Sequence, residues 1–457
     1  MNKPIRPFTV SHADVWRIAL PASIALITEP LVGITDITVI GRLGETGLLG
    51  GVVVGSVAFE ALLSVFFFLR LSTAGLVAQA EGAEDAPASA AHAMRAFILA
   101  VLFGVACIAL TVPLRSAGVT LFSVDGAVRA PFEAYFGIRM LSTPFVFLNF
   151  ALLGWLYGRG AARTSLVLTV VANLGNVGLS VALVYGAGMG VEGVAYGTLG
   201  AQIVASLTGL ALVWYHFKGW RAFARIVPFD LLVARDALKA LYSLSAGLTI
   251  RSVLLMAVFA YFTAAGSRAG DAVLAANAVL LNFMMVTAFF LDGMATASER
   301  LCGKAVGARY RPAYRQAVAK AMAGGFVLAG GLSLLFLLAG GWLVDLMTTA
   351  PDVRATAREF LVLAAIAPVT GVAAFVFDGV AAGATMGREI RNGMLICSAA
   401  FFALTFPLQA LWGVHGLWVA LNLFFVLRGV VFYWLLKRRE PDLFPSDPGA
   451  RTAGATA

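Results

Sequence analysis

Charge is what this sequence has least of. Only 12% of its 457 residues are Asp, Glu, Lys or Arg, about half the share of a soluble domain, while 60% are hydrophobic. Mean hydropathy is +0.89. A soluble globular domain is excluded, and an integral membrane protein is expected. Histidine and cysteine are scarce too. His12, His92, His216 and His415 are scattered, and Cys107, Cys302 and Cys397 lie in apolar segments at no metal-ligand spacing. Neither a metal site nor a disulfide framework is expected from them. A GxxxxGK[ST] loop is also missing, so ATP is not expected to drive the protein. No segment alternates like an outer-membrane barrel strand.

What is present is a series of apolar runs, each near the roughly 20 residues needed to cross a bilayer as a helix. Gly, Pro and charge clusters divide the chain into twelve spans, close to 14–40, 50–78, 93–113, 131–157, 164–186, 192–216, 238–266, 272–298, 316–347, 354–382, 390–411 and 416–436. The first is too long for a signal-peptide core and is read as a retained helix. The net charge of +9 is placed asymmetrically. Lys3, Arg6, Arg17, Arg159, Arg163, the Lys218–Lys239 cluster, the Arg300–Lys320 cluster, Arg388, Arg391 and Lys437–Arg439 share one side of the alternation. The other side holds Arg42, Arg115, Arg129, Arg268, Arg354 and Arg358. By the positive-inside rule both termini are expected in the cytoplasm. The basic loops then face a membrane surface, not nucleic acid.

The two halves repeat. LRLSTAGLVAQAEGA (69–83) aligns with MATASERLCGKAVGA (294–308), PFVFLNFALLGWLYGRGA (144–161) with PVTGVAAFVFDGVAAGAT (368–385), and GVEGVAYGT (190–198) with GVHGLWVAL (413–421). The shifts of 225, 224 and 223 agree. The expected architecture is all-α, with two pseudo-symmetric lobes of six helices, 1–217 and 238–438. A basic cytoplasmic linker, 218–237, joins them, and a Pro/Gly/Ala-rich tail, 439–457, is expected to be disordered. Transporters built of parallel repeats bind substrate between halves and alternate its exposure. No nucleophile or metal cluster suggests an enzyme. Gly188, Gly190 and Gly193 match GxGxxG, but they join two spans with no preceding strand and read as a turn.

Without ATP, an ion gradient is the expected energy source, which calls for a titratable group within the membrane. In GITDITVIG (33–41), Asp36 stands among Ile34, Ile37, Val39 and Ile40. Glu29 lies at i, i+7 from it on one helical face. Pro30, between them, removes a backbone donor and marks a bend. Burial favours the proton-bound form of a carboxylate, so such a group could take a proton near neutral pH and release it to the cytoplasm. The alternative is a permanently satisfied hydrogen-bond acceptor. Asn173, Asn176 and Ser180 in the fifth span share a face, either as interhelical glue or as the lining of a polar cavity that Tyr135 and Arg139 could close. In the second half Asp292 and Asp378 are isolated acids. Pairing with Arg251 and ion binding both fit them.

ALPASIALITEPLVGITDITVIGRLG (19–44) resembles the first helix of the multidrug and toxic compound extrusion (MATE) family, in particular its DinF-like branch. FFLDGMATASERLCGKAVGA and FVFDGVAAGATMGREIRNGML resemble later blocks of that branch, and the likeness spans residues 14–436. The resemblance implies two six-helix lobes in a V shape in a bacterial inner membrane, a monomer, and no cofactor beyond the coupling ion. It implies multidrug efflux, with organic cations exchanged for H+ or, less well supported, Na+. It makes Asp36 the protonation site and matches Asn176 to the family's fifth-helix asparagine; from their own isolation in apolar sequence, Asp292 and Asp378 are candidates for the substrate cavity. Ser180 stands where some relatives carry a second acid, a gap that Glu29 would fill. Within the same superfamily, a lipid-linked-precursor flippase or an organic-acid exporter is the alternative. Both would call for more interior Arg and Lys.

Overall fold

In lipid every backbone amide must find its partner within the protein, so long apolar runs are stable there as helices. The computed structural model describes residues 5–445. Ten helices are long and apolar enough to cross a membrane, and Gly126–Leu141 with Thr143–Gly158, bent by 50°, supplies another. Gly413 has φ 55° and ψ −131°, which interrupts the last helix and divides it in two. The twelve spans are therefore α1 His12–Gly41, α2 Thr46–Gly82, α3 Ala86–Ala109, the bent pair as α4, α5 Ala162–Gly186 and α6 Gly190–His216. They continue with α7 Arg235–Arg268, α8 Asp271–Gly307, α9 Arg311–Met347, α10 Pro351–Gly383, then α11 and α12 on either side of Gly413 within Gly387–Leu443. Large apolar side chains such as Val327, Leu338, Trp342 and Leu411 are exposed, a surface suited to lipid and not to water. Gly188 and Gly190 take φ of +69° and +54° between α5 and α6, the tight turn expected of the glycine string.

The repeat is visible in the helix boundaries. Thr46 and Asp271, Ala86 and Arg311, Gly126 and Pro351, and Ala162 and Gly387 open corresponding helices, each pair 225 residues apart. The two halves differ in continuity. α1 breaks at Thr28, α2 at Phe67 and α4 at Ser142, while α3 is followed across Leu110 by Thr111–Leu121. The equivalent positions in α7, α8, α9 and α10 lie inside unbroken helices.

By packing, the chain forms two compact units. Among the described residues, one comprises Ile24–Val77 and Asp85–Leu238; the other takes in 5–23, Ala78–Glu84 and 239–445. A single cut at the linker does not describe this arrangement, because the start of the chain is held by the second half. Val10 N–H donates to Gln316 Oε1 at 3.0 Å, Lys320 donates to the Val10 carbonyl, and Ser23 Oγ reaches the Phe290 carbonyl at 3.2 Å. Within that same unit α8 and α10 approach backbone to backbone: a Cβ on Gly379 or Gly383 would collide with the carbonyl of Ala295 or Glu299. The first unit packs around Phe59, Phe132, Phe147 and Trp155, with Phe66 stacked on Phe147 at 4.4 Å.

The linker is folded. Trp220–Ile226 and Phe229–Leu232 are short helices resting on α3, where buried Arg95 donates to the carbonyls of Leu231 and Leu232. Hydrogen bonds from a charged donor contribute about 1.5–3 kcal/mol. Arg95→Met is therefore expected to release the linker while keeping helical content. Limited trypsin digestion checks this: cleavage at Arg221, Arg225 and Arg235 should rise several-fold, and an unchanged rate would show that the linker holds without Arg95. The tail also begins later than expected. α12 runs on to Leu443 because Glu440 accepts from Arg311 and Arg315, both at 2.7 Å, and Arg439 bonds Glu389 and Asp442. The rest of the expected tail, 446–457, lies outside the described residues.

Candidate functional site

The break in α1 is built by three residues. Pro30 has no N–H to offer the Leu26 carbonyl. Thr28 folds back instead, its Oγ1 donating to the Ala25 carbonyl at 2.6 Å. Asn173 of α5 then donates Nδ2 to Thr28 Oγ1 at 2.6 Å, tying the break to a neighbouring helix. Glu29 opens the second piece of α1 with an exposed side chain, whereas Asp36 is only 2% exposed. The two acids of α1 therefore occupy different surroundings despite their spacing.

Asp36 faces α4. The hydroxyl of fully buried Tyr135 donates to its carboxylate, and the Arg139 charge acts on it as well. The phenol oxygen in turn accepts from Ser56 Oγ at 3.0 Å and from Arg139 Nη1 at 2.7 Å, which fills both its acceptor positions and its one donor. Arg139 lies over the Phe59 ring at 4.4 Å, so its guanidinium is fixed from two directions. Asp36 Oδ1 has no protein partner among the described residues. The second piece of α1 also packs on α5. There Asn176 donates to Thr198 Oγ1 at 2.6 Å, while Asn176 Oδ1 and Ser180 Oγ are buried without protein partners among the described residues. α6 can pass this close because Gly197 has no Cβ; one there would stand 2.6 Å from Ser180 Oγ.

In the other unit the acids are arranged differently. Asp378 Oδ2 receives Arg251 Nε and Nη2, each at 2.7 Å, and Arg428 Nη2 at 2.5 Å. Arg428 is 1% exposed and enclosed by the rings of Phe375, Phe424 and Phe425 at 5.5–5.9 Å. Asp378 is thus the shared partner of two guanidiniums. Asp292 is half-buried, and both it and Glu299 act electrostatically on Arg251.

Of the residues picked from sequence, the structure gathers Asp36, Tyr135 and Arg139 into one network. It sets Asn176 and Ser180 on the adjacent helix, gives Asn173 to the α1 break, and places Asp292 and Asp378 in the second unit. Thr28, Ser56 and Thr198 completed these contacts unannounced, since lone hydroxyls within apolar runs carry no spacing pattern, while Arg428 reads from sequence as a lone cation of the last span, paired or snorkelling, with no partner indicated. Tyr135→Phe leaves Asp36, Arg139 and Ser56 each one partner short. With a hydrogen bond to a charged group contributing about 1.5–3 kcal/mol, the unfolding midpoint of the variant is expected to fall by several degrees. Thermal unfolding of the variant checks this, and an unchanged midpoint would relegate the phenol to packing.

Comparison with known proteins agrees with this architecture. A sequence model of the MatE family matches residues 21–182 and 248–411. The DNA damage-inducible protein F of Escherichia coli strain K12 is 36% identical over 432 residues, covering 92% of this chain and 91% of that protein. The multidrug resistance protein NorM of Burkholderia vietnamiensis is 26% identical over 463 residues, covering 96% of each. Among solved structures, a multidrug resistance MATE family transporter of the MOP superfamily in an outward-facing conformation superposes with a TM-score of 0.85. It is 18% identical and covers 96% of this chain and 100% of that one.

Proposed function

Since this chain belongs to the MatE family, we propose that it is a proton-coupled antiporter that exports organic, mostly cationic lipophilic compounds from the cytoplasm. The observation that carries the reading is the Asp36 carboxylate. It is buried within the first span, receives one phenolic hydrogen bond, and keeps a second oxygen without a protein partner among the described residues. A carboxylate so placed can hold a proton or be charged, and each form suits a different arrangement of its neighbours. A proton arriving from outside neutralises Asp36, the second piece of α1 shifts about the Thr28–Pro30 break, and substrate leaves outward. Deprotonation toward the cytoplasm resets the site. Coupling requires that proton and substrate prefer opposite states.

The organic-acid and flippase readings need interior cations open to an anionic substrate. In the second unit Arg251 and Arg428 converge on Asp378, and Arg428 is enclosed by aromatic rings, which favours the cation reading. The test uses purified protein in liposomes and a permanently charged fluorescent cation. Acid-loaded vesicles should take up the cation as protons leave, and a Na+ gradient without a pH gradient should not drive it. Uptake driven by Na+ alone would replace the coupling ion. Uptake of an organic anion with none of the cation would replace the substrate class.

A further inference from the structure

A cleft of about 280 Å³ lies in the second unit where three helices end on the basic side of the spans. Tyr314, Arg315, Val318 and Ala319 come from the first turns of α9, Phe377 from the last turns of α10, and Tyr433, Leu436, Lys437 and Glu440 from the end of α12. Its size is near the lower end for ligand pockets. The cleft is divided by chemistry. Phe377, Leu436 and Tyr314 are buried and form an apolar floor, while the Arg315 and Lys437 side chains are exposed at the rim.

The rim carries excess positive charge. Glu440 is the acid in the lining, and it already accepts from Arg311 and Arg315 at 2.7 Å each. Lys437 makes no ion pair among the described residues; its ammonium rests 5.7 Å from the Tyr433 ring centroid. The next residue pair repeats the arrangement, with the Arg438 guanidinium 5.4 Å from the Trp434 centroid. Tyr433 and Trp434 are both more than half exposed. Exposed Tyr and Trp at helix ends, with cations directly beyond them, occupy the headgroup level of a bilayer. A basic cleft between helices at that level, apolar below and cationic above, matches an amphiphile with an anionic head.

We propose that this cleft binds one anionic phospholipid, with its phosphate between Arg315 and Lys437 and its chains against Phe377, Leu436 and Val318. A zwitterionic lipid brings a phosphate too, but its own cation competes with Lys437, so the preference is for a net negative head. By the positive-inside rule the site belongs to the cytoplasmic leaflet.

The test is thermal unfolding of the detergent-purified full chain with added phosphatidylglycerol, phosphatidylcholine or inorganic phosphate. Native mass spectrometry counts retained lipid in parallel. Phosphatidylglycerol is expected to raise Tm by roughly 3 °C or more, and the other two to leave it unchanged. The double variant Arg315→Gln/Lys437→Gln should lose the shift and one bound lipid while keeping its Tm in phosphatidylcholine. Arg388→Gln/Arg391→Gln, basic positions on the same side outside the cleft, should keep both. Ala319→Phe, which fills the cleft without touching charge, should also lose the bound lipid. Equal shifts from phosphatidylcholine, a shift from phosphate alone, retention of the lipid by the double variant, or its loss from the control pair would each overturn the proposal.

Discussion

Asp36→Asn is expected to bring cation uptake into acid-loaded vesicles down to that of protein-free liposomes. The substitution keeps the volume of the side chain and an oxygen for the Tyr135 hydroxyl, so α1 and α4 retain their packing. What it removes is the ability to alternate between charged and neutral. A ligand shifts a two-state equilibrium only through its differential affinity for the two states, and an amide that binds no proton contributes none. Downhill cation exchange between vesicle compartments, which needs no proton, should persist if the alternating movement survives. The two measurements together separate coupling from folding. Undiminished uptake with the variant would make Asp36 a fixed hydrogen-bond acceptor and move the coupling site elsewhere.

Asp378→Ala is expected to have the largest effect on stability. Two guanidiniums converge on a single oxygen of this carboxylate, and one of them is 1% exposed. Removing one partner of a buried ionic group typically costs about 3–5 kcal/mol, because the charge left behind is neither solvated nor paired. For a unit of this size the unfolding midpoint should drop by on the order of 10 °C. The compensated variant Asp378→Leu/Arg251→Met/Arg428→Met should recover much of that loss, since apolar replacement of a whole buried ionic cluster is often neutral or stabilising. A variant Asp378→Asn that unfolds like wild type yet no longer transports would reverse the assignment and make this carboxylate a working ion site.

The twelve spans were legible because each one exceeds bilayer thickness and ends in Gly, Pro or charge. The 225-residue shift was legible in weak sequence matches and recurs in the openings of α2 through α5 and their counterparts. Asp36 stood out because a carboxylate among isoleucines is costly. The break at Phe67 did not stand out, since it has no proline and lies in the middle of apolar sequence, whereas the one at Leu110 falls near the end expected for the third span at 113. The fate of Asp378 was half legible. Arg251 was a candidate partner, but the second arginine comes from 50 residues along the chain, and one sequence carries no signal for that distance. The exposed position of Glu29 was hidden for a related reason. Spacing assigns it to the Asp36 face, but Glu29 is the first residue after the Thr28 break and stands at the open end of the second piece, while Asp36 lies two turns further on against Tyr135.

The placement of residues 5–23 in the second unit bears on how the chain is made. Ser23 and the carbonyl it meets at Phe290 are 267 residues apart. At roughly 5–20 residues per second, a ribosome needs about 13 to 53 s to span that interval. For nearly all of that time the opening half of α1 is already synthesised while α8 and α9, which will receive it, are still to be made. The six helices of the first half therefore enter the membrane as an incomplete body with its leading segment unengaged. The second half, on emerging, takes up residues made long before it.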